Sequence, residues 1–471
     1  MDPFSTALDL AAAIRSKQAS PVEVADFYLE RIEALEPTLN AFAHRADDDV
    51  REAARRAEQQ VMNTPVDELP PFVGVPIPIK DLNPVAGWPC TYGSRGATRA
   101  PRPESDPIVD RFVDAGFVLL GMTNAPEFGT ISYTESDAHG ITRNPWNTDH
   151  TPGGSSGGSA CAVAAGLAPL GHANDGGGSI RIPASCNGLV GLKGGRGRVP
   201  NEFIELEGFV VEGVVTRTVA DTAAVYDVLD VVDPLVFFSA PRHDRPYAEL
   251  AAMQPPRLRI GFTTVAPLDV PVDPECVAAV TETVRALEAA GHDVFETSLG
   301  LPDAGTFIEG FIVIWNTGSV WSPMDDWDAI EPLNAALRDA ARTVDSLDFA
   351  AAVRATQRMA RTLIEPFGRD FDLLVTPTMA VQPPKVGAWR EGTDIDPAAG
   401  LMNCLPMGVF TSVLNVTGLP AISLPVHEAA SGLPVGVQVI APPWREDLLL
   451  QVGSQLEASL PWKDRHPALS A

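Results

Sequence analysis

Lysine is scarce in this chain. Lys17, Lys80, Lys193, Lys385 and Lys463 are the whole complement, and arginine supplies the rest of the 34 basic side chains. Against 61 acidic residues the formal net charge is −27, a field that repels nucleic acid and anionic membranes and argues against either as a partner. Cysteine is also sparse: Cys90, Cys161, Cys186, Cys276 and Cys404 are odd in number and widely spaced, so neither a disulfide framework nor a CxxC metal pair is expected. The eight histidines contain no HExxH and no paired Cys/His spacing, and no metal site is expected. No run of about 18 uninterrupted apolar residues occurs, which excludes a transmembrane helix. Met1 to Ser5 carries no basic region and no long apolar segment, so a cytoplasmic location is expected.

What the chain has is glycine beside serine, twice. The first loop runs Thr151-Pro152-Gly153-Gly154-Ser155-Ser156-Gly157-Gly158-Ser159, and the second Asn174-Asp175-Gly176-Gly177-Gly178-Ser179-Ile180-Arg181-Ile182-Pro183. Between them Ala160 to Gly171 is apolar and small, long enough for a buried helix of about three turns. Glycines ending at a serine leave bare backbone N–H groups beside a hydroxyl, as a nucleophile with an oxyanion hole needs. A flexible linker shares this composition, but linkers do not flank an apolar helix. A phosphate loop shares it too, yet its Gly-Lys-Ser/Thr ending is missing. A third element joins the loops. Lys80 closes the run Phe72 to Lys80, an apolar stretch that would deliver it at the inner end of a buried strand. Burial lowers a lysine's pKa, as a general base requires; a salt bridge to Asp81 is the plainer alternative.

Hydrophobic residues at 45% and charged residues at 20% describe a globular chain with a large core. Ser5 and Ser20-Pro21 read as helix starts, opening helices over roughly 6–17 and 21–36, and Asp47 to Met62 reads as a third, solvent-facing one. Short apolar runs between Gly/Pro turns then read as strands: Val73–Ile79, Phe117–Gly121, Leu167–Gly171 and Leu189–Leu192. Alternating with helical stretches, they predict an α/β fold with one sheet covered on both faces. Leu258 to Phe262 reads as a strand and Pro274 to Ala290 as an amphipathic helix with Val277, Val280, Val284 and Leu287 on one face. The segment from Phe307 to Asp370 reads as helical, and its Trp315, Trp321, Trp327 and Phe349 as core. The prolines of Pro377–Pro397 mark a loop expected at a pocket entrance. His139, His150 and His172 near the glycine loops read as structural.

Taken together, Ile77-Pro78-Ile79-Lys80-Asp81, the first glycine loop and Asn174 to Ser185 resemble the amidase signature family. Gly121 to Gly129, Thr142 to Asn147, Thr216 to Asp221, Asp372 to Thr378 and Asn415 to Ala421 are also similar to it, so the resemblance extends over most of the chain. It implies one large domain over 1–471 with a mixed central sheet covered by helices on both faces. N-terminal helices would fill about 1–65, a catalytic core about 70–235 and a helical substrate-covering segment about 300–370. It further implies amide hydrolysis through a Ser–cis-Ser–Lys triad, with Ser179 as nucleophile, Ser155 as the bridging cis-serine and Lys80 as base. The backbone amides of Gly176, Gly177, Gly178 and Ser179 would form the oxyanion hole, Asp175 and Arg181 would hold the loop, and Thr130, Ile131, Ser132 and Tyr133 would wall the pocket. No cofactor is implied, and the partner is a small-molecule amide; esters and carbamates fit the same chemistry. The chain would act as a monomer or homodimer. Asn174-Asp175 and Thr142 to Asn147 are similar to the branch of cyclic amide (nylon oligomer) hydrolases, which makes apolar amides the expected substrates. The alternatives are a glutamine-hydrolysing subunit of a tRNA-dependent amidotransferase and a scaffold that keeps the fold without activity. Gly194-Gly195 after Lys193 and Cys161 depart from the family pattern, so a looser loop is expected beyond Lys193.

Overall fold

Capping decides where the first helices begin. Ser20 accepts from the Val22 N–H at 3.0 Å while Glu23 accepts from the Ser20 N–H at 3.2 Å, with Pro21 at the first helical position, and the helix runs Pro21–Leu39. The preceding helix, Ala7–Arg15, is capped by Thr6 rather than Ser5, whose hydroxyl instead donates to the Asp2 carbonyl. A third helix, Asp47–Asn63, buries the single stripe Val50, Ala54, Ala57 and Val61. The computed structural model describes every residue except 202, 238, 302, 320, 321 and 471, so Trp321 lies outside the described residues.

The strands are β1 (Phe42–His44), β2 (Pro76–Lys80), β3 (Val118–Thr123), β4 (Glu135–Ser136), β5 (Gly140–Ile141), β6 (Leu170–Asp175), β7 (Val190–Lys193), β8 (Val211–Thr216), β9 (Arg259–Phe262), β10 (Asp293–Glu296), β11 (Leu373–Pro377), β12 (Ala421–Glu428) and β13 (Pro434–Ile440). Eight of them form a mixed sheet in the order β10-β9-β11-β13-β12-β7-β8-β6, parallel from β10 to β11 and antiparallel beyond. The expected strands after Phe72 do not all join it. β2 pairs in parallel with β3 in a separate three-stranded sheet closed by β1. Alternation along β13 shows how the large sheet is covered. Gly436 and Gln438 face the helix Arg181–Asn187, whereas Val435, Val437 and Val439 enter a core shared with the helices Pro274–Ala289 and Glu446–Ser459. The result is the expected α/β domain, a mixed sheet with helices on both faces.

Between the glycine loops the helix is shorter and earlier than its composition suggests, Gly157–Ala164, and the strand after it extends to Asp175. Gly166, at φ +66°, ends the helix, because only glycine adopts that conformation without a Cβ penalty and Pro3 packs where a Cβ would stand. Among the described residues no helix is long and apolar enough to cross a membrane.

Candidate active site

Lys80 ends β2, all of whose residues are buried, and its own side chain is 0% exposed. The salt bridge to Asp81 does not form. Asp81 is held by Thr91, whose main-chain N–H donates to it at 2.8 Å and whose hydroxyl binds its other oxygen. The Lys80 amine instead meets Ser155 Oγ at 2.7 Å and donates to Asn174 Oδ1 at 2.6 Å. Burial pulls its pKa down to about 7, against the opposing pull of the Glu212 and Asp175 carboxylates.

The peptide bond between Gly154 and Ser155 is cis. Gly154 lies so close to the main chain of Ser132 and Tyr133 that a Cβ would stand 2.8 Å from their atoms; Thr134 Oγ1 fastens the same loop by donating to the Gly153 carbonyl at 2.8 Å. Ser155 Oγ lies 3.2 Å from where a Gly129 Cβ would be, and Gly129 borders a cavity whose floor includes Gly177 and Ser179. The lysine of the small sheet, the first glycine loop and the loop that follows β6 of the large sheet thus meet at one place.

The second loop is braced from beneath by a fully buried ion pair. Arg181 Nε and Nη2 donate to the two Asp175 oxygens, each at 2.9 Å, and both residues are 0% exposed. Burial alone would raise the Asp175 carboxyl; the charge and hydrogen bonds of Arg181, with help from Lys193 and Asn415, outweigh it and hold the carboxyl well below its usual range. Arg181 reaches further, to Gln438 at 2.8 Å, Asn415 at 2.7 Å and the Thr411 carbonyl at 3.1 Å. Asp175 in turn accepts the Gly178 N–H at 2.7 Å and the Ile180 N–H at 3.2 Å. Gly178 is therefore corrected out of the expected oxyanion set. The N–H groups of Gly176, Gly177 and Ser179 have no hydrogen-bond acceptor among the described residues.

Thr130, Ile131 and Ser132 line the cavity, whereas Tyr133 is 2% exposed and packs into a core cluster behind it. Phe307, Ile308, Phe311, Ile312 and Trp315 line one side, inside the substrate-covering segment expected over about 300–370; Leu268 and, from another side, Leu401, Met402, Cys404, Leu405 and Gly408 were not among the expected residues. Phe307, Phe311 and Trp315 stack in succession, with ring centroids 6.0 and 5.1 Å apart, one helical turn between each. Trp315 is a wall residue rather than core, Trp327 and Phe349 are only half-buried, and Pro377–Pro397 contributes nothing to the lining. The three histidines have structural partners: His139 binds Thr91 Oγ1, His150 the Pro383 carbonyl and His172 the Glu212 carboxylate. The loop beyond Lys193 is not loose. Tyr226 OH accepts the Gly194 N–H at 3.1 Å and Glu446 the Gly195 N–H at 2.9 Å.

Sequence and structure comparisons identify the family. The amidase family model matches residues 23–450. A 6-aminohexanoate-cyclic-dimer hydrolase of Paenarthrobacter ureafaciens is 38% identical, over 100% of this chain and 97% of its own length. A putative amidase of a Synechocystis species is 34% identical over 97% of this chain and 88% of its own. Among solved structures, a 6-aminohexanoate cyclic dimer hydrolase superposes with a TM-score of 0.93 at 36% identity over the whole of both chains. A bacterial aryl acylamidase of the amidase signature enzymes follows with 0.88 at 27% identity, covering 99% of this chain and 98% of that one. The chain belongs to the amidase signature family and is a hydrolase that acts on amides.

Proposed function

We propose that the chain cleaves uncharged, largely apolar amides, linear or cyclic, through an acyl-enzyme on Ser179. The observation that carries this reading is the 2.7 Å contact between buried Lys80 and Ser155 beside a cavity floored by Ser179. In the neutral form Lys80 has a lone pair to accept the Ser155 hydroxyl proton, and Ser155 accepts that of Ser179. Ser179 Oγ then bonds to the carbonyl carbon, and the π electrons move to oxygen, where the N–H groups of Gly176, Gly177 and Ser179 hold the charge. Collapse breaks the C–N bond, and the amine leaves with the proton returned through Ser155. Water, deprotonated along the same path, releases the acid and restores Ser179.

The lining supports the substrate class. Among the described residues its side chains are aliphatic, aromatic, sulfur-bearing or hydroxyl, and none carries a charge. A glutamine-hydrolysing site would need partners for an ammonium and a carboxylate, and no observation favours that alternative. The two relatives named for a cyclic dimer of 6-aminohexanoate extend the class to cyclic amides. Esters and carbamates, with leaving groups that depart more readily, fit the same path. The test is fluorophosphonate treatment followed by peptide mass mapping, together with a panel of aryl amides, aliphatic amides, carbamates and esters. An adduct on Ser179 and hydrolysis of neutral amides by the chain alone are expected. An adduct on Ser155 or Ser156 would overturn the roles.

A further inference from the structure

Lys80 is the start and the end of a closed ring of hydrogen bonds. Its main-chain N–H donates to His172 Nδ1 at 3.3 Å, and His172 Nε2 meets Glu212 Oε2 at 2.9 Å. Asn83 Nδ2 donates to Glu212 Oε1 at 3.1 Å, and Asn174 Nδ2 donates to Asn83 Oδ1 at 3.0 Å. Asn174 Oδ1 then accepts from Lys80 Nζ at 2.6 Å. All five side chains are at most 8% exposed. His172 and Asn174 lie on β6 and Glu212 on β8, in the large sheet, while Lys80 and Asn83 end β2 and its following turn. No ladder joins β2 to β6; the ring is one of the hydrogen-bonded links between the two sheets, beside the Ser159 bridge from Thr123 to the His172 carbonyl, and it passes through the Lys80 amine.

The ring has a fixed polarity. A carboxylate can only accept, so Glu212 turns the Asn83 amide with its NH2 toward the acid; Asp106 Oδ2, 3.3 Å from the same nitrogen, enforces the same choice. Asn83 then offers its oxygen to Asn174, which must answer with its NH2 and so present its own oxygen to Lys80. On the other arm, His172 Nδ1 accepts a main-chain N–H, which places its proton on Nε2, directed at Glu212. The Asn174 carbonyl is 3.5 Å from Nζ as well, so one residue occupies two of the three directions around the amine. The third is Ser155.

We infer that Asn174 is a positioning residue that aims the Lys80 lone pair at Ser155, and that Asn83, Glu212 and His172 set the orientation of Asn174 from a distance. This rests on the assignment of Lys80 as base. Two effects follow. An acceptor on Nζ stabilises the ammonium, offsetting part of the burial that lowers its pKa to about 7, and it pins the neutral amine with its lone pair toward Ser155. The charged and titratable groups that act on this amine are Glu212, Asp175, Glu205 and, through the ring, His172 and Asp106; the Lys193 amine, on β7, donates to the Gly194 carbonyl instead.

The rate of Ser179 labelling by a fluorophosphonate, followed against pH, tests the ring without knowledge of the substrate. Each variant is measured beside its unfolding midpoint. Lys80→Ala removes the rising limb. Asn174→Leu and Asn83→Leu change no charge, and Asn83 touches neither serine. In both variants the limb should move down by about one pH unit, the value of one lost charge-assisted hydrogen bond. The plateau should fall about tenfold to a hundredfold, as misaimed groups do. A purely structural role would lower the midpoint and leave the limb in place. A limb lost in Lys80→Ala, yet unmoved with an intact plateau in both leucine variants, overturns the ring alone. A limb that persists in Lys80→Ala overturns Lys80 as base and the ring with it.

Discussion

The floor and the wall of the cavity are built on opposite principles. Beneath Ser155 and Ser179 lie Lys80, Asp175 and Arg181, all 0% exposed, with each polar group tied to several partners across two sheets. The wall is a stack of buried and half-buried rings and aliphatic chains on the helix Ala304–Trp315, with apolar side chains of the segment 401–412, and its lining faces meet the cavity through apolar contact. Directional bonds fix a geometry to tenths of an ångström, which proton transfer needs. Apolar contact is tolerant of shape, which suits a family of acyl groups. On the proposed mechanism the floor sets the chemistry and the wall the selectivity, and damage to the two should read out differently.

The largest effect should come from the floor. Lys80→Ala should lower amide turnover by about 10³-fold, the range for losing an acid–base group. An activated ester, whose leaving group needs no proton, should lose clearly less; equal losses measured at one pH would show that Lys80 does not supply that proton. In the intact protein kcat/KM should rise with pH through about 7 and level off above it, because only the neutral amine acts and burial holds its pKa near that value. A flat profile from pH 5 to 9 would contradict the buried base.

Next in size is the brace. Asp175→Asn leaves the Arg181 guanidinium buried and unpaired, and denaturant midpoints should report a loss of about 3–5 kcal/mol. Activity should fall as well, because the same carboxylate orients Gly178 and Ile180. Full stability in that variant would mean the loop holds itself.

Trp315→Ala probes the wall. It opens the space above Gly176 and Gly177, where the indole edge now lies 3.4 to 3.5 Å from their Cβ positions. Preference among acyl groups should shift about 10- to 100-fold, mostly in KM, with stability nearly kept. A uniform loss of kcat on every substrate would instead place Trp315 with the floor. The smallest effects belong to His139→Gln and His150→Gln, expected within about twofold of the parent rate. A loss comparable to Lys80→Ala in either would point to histidine chemistry.

How much of this could be read beforehand follows the same division. The residues of the floor to which the proposed mechanism assigns chemistry stand in contiguous motifs: glycines must border a serine for its N–H groups to be bare, and an apolar run must precede a lysine for it to be buried. Helix starts such as Ser20-Pro21-Val22-Glu23 were equally legible, as was most of the stripe of Pro274–Ala289, since caps and periodicity are local; Val280, Val284 and Leu287 are buried as expected, while Val277 is half-buried beside buried Cys276. The exchange of Ser5 for Thr6 as cap, the earlier end of the helix at Ala164 and the Gly178 N–H turned toward Asp175 were not, because each depends on which of two neighbouring groups meets a partner far along the chain. Asn174 stood beside Asp175 in plain view, but nothing in its neighbours says that Asn83 and Glu212 orient it.

The sequence by itself determined the triad candidates, the α/β alternation and the lack of charge on the run that delivers Lys80, because these rest on residue type and near-neighbour spacing. Only the tertiary structure decided that β2 leaves the main sheet, that Arg181 reaches Gln438 and Asn415, that Tyr133 turns into the core, and which side chains of the expected covering segment, Phe307, Phe311 and Trp315 among them, wall the cavity. Those are contacts between residues tens to hundreds of positions apart, and a side chain's partner at such a distance is set by how sheets and helices stack, for which the chain carries no local code.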